Sequence, residues 1–265
     1  MLNDVFSLVL EEIPRLFQQS ASPLEEMGMN LYRAFSGIGI AWFAMGVALT
    51  KSFDSNRFLS LVMVIVIVGT LLTGYSQPMP GFGVSFRSLI TDQAYDMAQL
   101  IDKDHVQRVH ERLNKLETQL EPPGMFEVSG AIRYYLVLLL LAIAQAATVF
   151  IVSYGYLAGA MAGLTGPFFI PFLLMPGMDW LFWGWLKSYI QFSFYPVFAF
   201  AYTSLLGMML IHFLDQQLPS GTPLSTMFVP LLTLIMVYIY GLLKLPAVVG
   251  ALFSGRSGEA AGPGL

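Results

Sequence analysis

Five long apolar runs dominate the chain, and their spacing predicts five membrane-spanning helices. The first covers about 31–50 and the second about 58–74. Only "KSFDSNR" separates them, which predicts a tight helical hairpin. The third runs from Tyr134 to about Gly163. At about 1.5 Å per residue it is near 45 Å long, against about 30 Å of hydrocarbon, so it must tilt, project or break near its end. The fourth runs from about Ser188 to Leu214, with Pro196 in its early turns. The fifth runs from about Thr226 to Leu245, and "PAVVGALF" can extend it.

Other stretches keep a helical period but not the hydrophobicity of a span. In residues 1–20, Leu2, Val5, Phe6, Val9, Ile13, Leu16 and Phe17 share one face, opposite an acidic one. That predicts an amphipathic helix at the membrane surface, on a partner or on the protein itself, ended or kinked by Pro14. The long polar region from Tyr75 to Arg133 predicts two amphipathic helices. One carries Phe86, Leu89, Ile90, Met97, Leu100 and Ile101, and the other Val106, Val109, Leu113, Leu116 and Leu120. They pair with each other or with copies in neighbouring subunits. The tail "SGRSGEAAGPGL" has the composition of a disordered segment.

Between the third and fourth runs lies "LTGPFFIPFLLMPGMDWLFWGWLK", residues 164–187. It is apolar enough for a membrane, yet it holds Gly166, Pro167, Pro171, Pro176, Gly177 and Gly184. Proline costs about 3 kcal/mol or more inside a helix. Irregular backbone at membrane depth is tolerated only where protein or a water-filled cavity covers it. The spacing therefore predicts a rigid re-entrant or interfacial element. Trp180, Trp183 and Trp185, with Lys187 and Tyr189 as anchors, fit an aromatic belt at headgroup level. Just before it, Gly155, Gly159 and Gly163 form a ladder of small residues at four-residue spacing, a face that lets another helix approach closely.

Composition sharpens this picture. Of the 265 residues, 56% are hydrophobic and 11% charged, against about 25% charged in soluble domains. The net charge of −4 and the lack of a basic run argue against a direct nucleic-acid patch. The absence of cysteine excludes disulfides and thiolate chemistry. Lys51, Arg57, Lys187, Lys244 and Arg256 follow spans one, three and five, whereas Arg15 and Arg33 stand on the other side. By the positive-inside rule this predicts a periplasmic N-terminus, a periplasmic 75–133 region and a cytoplasmic C-terminus.

The expected fold is an all-α integral membrane protein with seven parts. These are an amphipathic segment (1–30), a hairpin of spans (31–74), a helical periplasmic loop (75–133), a third span (134–163), a cytoplasmic-side Pro/Gly/Trp-rich element (164–187), two further spans (188–250) and a tail (251–265).

The residues offer no catalytic, cofactor or metal constellation. His105 and His110 are five apart and do not share a helix face. His212 and Asp215 read as an interfacial pair, and Ser204 is two turns from His212. No phosphate-cradling loop is present. Ionisable residues, which mark proton and ion pathways, are missing from the middle of every span. That argues against a proton-coupled carrier. A small-solute transporter or channel with a broken helix remains the alternative, although it lacks the expected internal repeat.

The stretch "GPFFIPFLLMPGMDWLFWGWLKSYIQFSFYPVFAF", residues 166–200, resembles the TrbL/VirB-six family, the polytopic inner-membrane subunit of type IV secretion and conjugation machines. Its members carry a similar Gly-Pro and Ile-Pro run before a tryptophan-containing helix entry, and Trp183 or Trp185 is the counterpart of the family tryptophan. The resemblance implies a non-enzymatic platform or channel subunit supporting pilus assembly and substrate translocation. It implies a ring-like homo-oligomer in contact with lipid, a bitopic scaffold subunit and pilin, and indirectly with secretion ATPases. The chain departs from many relatives in its minimal cytoplasmic tail.

Overall fold

The computed structural model describes residues 2–79, 81–101, 111, 128–217 and 224–254, with the backbone alone at 2–20, 98–99, 214–217, 224–227 and 254. Helix α1 spans Leu2–Thr50, α2 Ser55–Thr73, α3 Phe86–Leu100, and α4 Val128–Phe169. A 3-10 turn, Ile170–Leu174, follows, then α5 over Asp179–Gln217 and α6 over Leu224–Ser254. No strand occurs among the described residues. Five stretches are long and apolar enough to cross a membrane: Ala21–Thr50, Ser55–Thr73, Val128–Leu174, Asp179–Phe213 and Phe228–Phe253. The all-α, five-span class expected from the sequence is the one observed.

Several boundaries differ from the sequence expectation. Helix α1 continues through Pro14 instead of ending there, and the side-chain faces of residues 1–20 lie outside the described residues. The third span does not stop at Gly163: α4 runs on through Gly166 and Pro167 to Phe169. A proline three residues from a helix end removes one ladder bond and leaves the rest intact. The irregular backbone shrinks to 170–178, and the three tryptophans open α5 rather than a separate element. Helix α6 carries Pro230 and Pro246 inside it and reaches Ser254. Of the two amphipathic helices in the polar region, α3 is the first. The second, with His105 and His110, lies outside the described residues.

Local chemistry sets the element ends. Asp54 caps α2, accepting from the backbone N–H groups of Asn56 and Arg57 at 3.1 Å. Rings of Phe43, Phe53 and Phe58 meet with centroids 5.3–5.7 Å apart and close the α1–α2 hairpin. Ser85 and Ser88 cap α3 reciprocally, each backbone N–H donating to the other's hydroxyl at 3.0 Å.

Two compact units are formed. A bundle unit takes Met1–Phe6, Ala94–Tyr156 and Phe194–Leu265. Its core packs Val137 and Leu141 of α4 with Ala199 and Phe200 of α5 and Leu231 and Ile235 of α6. The hydroxyls of Thr148 and Tyr238 bond across it at 2.8 Å. A turn unit takes Ser7–Gln93 and Leu157–Ser193. Its core packs Val68 and Leu72 of α2 with Ile170, Leu174, Trp185 and Tyr189.

Candidate functional site

Near the end of α4 one backbone donor is missing. Pro167 has no N–H, so the carbonyl of Gly163, four residues earlier, has no helical donor. An orphan carbonyl buried in an apolar site costs about 1–3 kcal/mol. The Tyr75 hydroxyl, just beyond α2, donates to that carbonyl. Beside it, the indole Nε1 of Trp185 donates to the Ala162 carbonyl at 2.8 Å. Tyr189, one turn along α5, donates its hydroxyl to the Arg87 carbonyl at 3.2 Å. Three side-chain donors thus tie α4, α5 and the entry to α3 together through main-chain oxygens.

Glycine provides the room. A β-carbon at Gly166 would stand 2.1 Å from the Tyr75 hydroxyl and 2.7 Å from the Trp185 ring. At Gly28 of α1 it would stand 2.2 Å from the Pro167 carbonyl oxygen. Trp185 lies between Phe169 and Tyr189, nearly parallel to both, at 6.4 and 5.5 Å between centroids. Burial pushes the Tyr75 hydroxyl above the usual phenol range, reinforced by Tyr189, so it stays protonated and able to donate.

The glycine ladder divides between the units. In the bundle unit a β-carbon at Gly155 would come within 2.6 Å of Tyr195 and 3.1 Å of Pro196. In the turn unit one at Gly159 would meet the Phe192 carbonyl oxygen at 3.3 Å, and one at Gly163 the Tyr189 ring at 3.1 Å. All three glycines of α4 therefore face α5 of the same chain.

Trp180 and Trp183 are 64% and 55% exposed, whereas Trp185 is 6% and Tyr189 0% exposed. The belt expected from sequence therefore separates. Trp180, Trp183 and exposed Lys187 form an outer stripe at three- and four-residue spacing, while Trp185 and Tyr189 face the core. Tyr189 is not an interfacial anchor, because its ring and hydroxyl are engaged inside the protein. Pro171 is buried beside Ile170, Pro176 is exposed, and Gly177 takes φ +82, open to glycine at no steric cost.

The sequence expectation puts the 75–133 region and the 164–187 element on opposite faces of the membrane. Within the turn unit Tyr75 touches Gly163 and Arg87 touches Tyr189, both partners lying inside the apolar stretches Val128–Leu174 and Asp179–Phe213.

Tyr75 and Gly28 are the site residues that sequence reasoning missed. The proline announces a free carbonyl at Gly163 but not the donor that fills it, 88 residues away. Among the described residues no group of His, Asp or Glu is placed to hold a metal ion.

Residues 31–244 match the family described as TrbL/VirB6 plasmid conjugal transfer protein. The chain belongs to the TrbL/VirB6 family. The match takes in part or all of each of the five apolar stretches and the whole of the Gly/Pro/Trp region. Membership makes the chain a component of a conjugal transfer or type IV secretion system, and the five apolar helices make it a multi-pass membrane protein. No curated protein matches it.

Proposed function

We propose that this TrbL/VirB6 chain is a non-enzymatic inner-membrane platform or channel subunit, supporting pilus assembly and substrate passage in a conjugation apparatus. The observation that carries the reading is the family match across all five apolar stretches. The partners it implies are further copies of the chain, lipid, a bitopic scaffold subunit and pilin, with secretion ATPases reached indirectly. Lys51 and Arg57 in the α1–α2 turn favour a cytoplasmic turn and a periplasmic N-terminus. In this role Gly155, Gly159 and Gly163 keep α4 close to α5. Gly166, Pro167, Pro171 and Trp185 make the end of that pair a rigid platform, not a flexible loop.

The test is a donor strain lacking this gene, complemented in trans. DNA transfer and extracellular pilin should both fall to background and return with the intact chain. Undiminished transfer without the chain would overturn the reading.

A further inference from the structure

We infer that a cleft between α1, the residues after α2 and the start of α3 holds a zwitterionic phospholipid headgroup with a free ammonium, of the phosphoethanolamine type. The cleft lies wholly within the turn unit, and its volume of 410 Å³ is that of a small-molecule site. Ser22 and Glu25 of α1, Ser76, and Arg87, Ser88 and Asp92 of α3 line it. Its depth in the bilayer follows from α2. At about 1.5 Å per residue, the 19 residues of Ser55–Thr73 match a hydrocarbon thickness of about 30 Å, so Thr73 stands at one edge. Gly74 and Tyr75 still donate back to Thr70 and Leu72, at 2.9 and 3.3 Å, so the chain remains coiled there. Ser76 comes next and donates its hydroxyl to the Glu25 carboxylate. The cleft therefore opens in the headgroup layer, which is about 5–7 Å deep on each side.

The cleft carries both signs of charge: Glu25 and Asp92 supply carboxylates, and Arg87 supplies a guanidinium. The start of α3 offers a phosphate no backbone donor at its first three positions. Phe86 donates to Gly74 at 2.8 Å, Arg87 to Tyr75 at 3.1 Å, and Ser88 to the Ser85 hydroxyl at 3.0 Å. Recognition thus falls to side chains. A guanidinium has five N–H donors, so Arg87 can take a phosphate beside a partner it already holds. An ammonium with three N–H donors suits the carboxylates and serine hydroxyls. A choline group cannot donate to them, and two carboxylates against one guanidinium disfavour an anionic headgroup. The lipid's acyl chains lie against the apolar faces of α1 and α2, which expose Ile38, Ile40, Val66 and Ile67.

The test uses the full chain, purified, stripped of native lipid and placed in nanodiscs. These contain phosphatidylcholine, phosphatidylethanolamine and phosphatidylglycerol with the same acyl chains. After release into mild detergent, the lipids that stay bound are counted by mass spectrometry relative to their abundance. The intact chain should retain phosphatidylethanolamine over either other lipid by about tenfold, the weight of one charge-assisted hydrogen bond. Glu25→Gln with Asp92→Asn should abolish that preference. Because Glu25 also accepts from Ser76, the exposed Asp92 is changed alone as well, and Asp92→Asn should weaken the preference without loss of fold. Asp96→Asn, one turn along α3 and outside the cleft, should leave it intact. Equal retention of the three lipids by the intact chain overturns the inference, as does the same loss in Asp96→Asn as in Asp92→Asn. Soluble glycerophosphoethanolamine at equal concentration should not displace the lipid; displacement would overturn the assignment to a lipid. The inference rests on the membrane location in the functional reading and not on the secretion role. Lipid retention is read on the purified chain, so it fails or stands apart from the DNA-transfer test.

Discussion

The bundle unit and the turn unit solve the same problem in different ways. Both must bury main-chain and side-chain polar groups in apolar surroundings. The bundle unit keeps its helices whole, even through Pro196, Pro230 and Pro246, and joins them by a short bond between side chains, Thr148 to Tyr238, with one long bond of 3.5 Å from the Tyr202 hydroxyl to the Val237 carbonyl. The turn unit interrupts its helices and sends side-chain donors to main-chain oxygens: Tyr32 to Ile65, Tyr75 to Gly163, Trp185 to Ala162 and Tyr189 to Arg87. At Gly163, where Pro167 breaks the backbone ladder, an amphipathic aromatic residue replaces the missing donor; the other three add a bond to a carbonyl inside an intact helix. Tyr and Trp suit the task because one end is apolar and the other donates.

Substitutions can break that contrast. The largest effect is expected at Gly166→Leu, which drives a side chain into Tyr75 and Trp185 at once. The loss should reach about 3 kcal/mol, the upper end for overpacking, and be read as a collapse in the thermal midpoint in detergent. A variant as stable as wild type would mean that the glycine is not needed for the close approach. Next comes a pair. Trp185→Phe keeps the stacked ring but removes the indole bond to the Ala162 carbonyl, for about 0.5–1.5 kcal/mol, whereas Trp183→Phe on the exposed stripe should stay within about 0.5 kcal/mol. Equal effects of the two would erase the distinction between core and belt. The smallest change is Thr148→Val in the bundle unit. Interhelical hydrogen bonds in membranes average about 0.6 kcal/mol, and a shift of that order in denaturant titration is expected. A loss matching Trp185→Phe would show that both units depend equally on polar ties.

The sequence made the helical class and the five apolar stretches legible, because span length and hydrophobicity are local properties. The α1–α2 turn was legible for the same reason: "KSFDSNR" is short and polar, and Asp54 is a natural cap. The end of α4 was not, because Gly-Pro reads as a break, whereas a proline near a helix terminus removes only one bond. Trp185 was half legible. Its spacing of four from Tyr189, and the separate spacing of Trp180, Trp183 and Lys187, distinguish two helix faces. Grouping all three tryptophans into one belt used composition where period held the answer. Tyr75 was beyond reach, since its partner is distant in sequence and chosen by packing alone.

The separation of Tyr75 from its acceptor also sets a clock during biosynthesis. The α1–α2 hairpin carries its own cap and ring cluster, so it is complete as soon as Gly74 has been made. The Gly163 carbonyl is 88 residues beyond Tyr75. At about 5–20 residues per second, the ribosome takes roughly 4–18 s to supply it. During that interval the hairpin can enter the bilayer, but the turn unit has no far side to close against. The N-terminal spans are therefore an early scaffold, and the Gly/Pro/Trp stretch is the late-arriving piece that completes it.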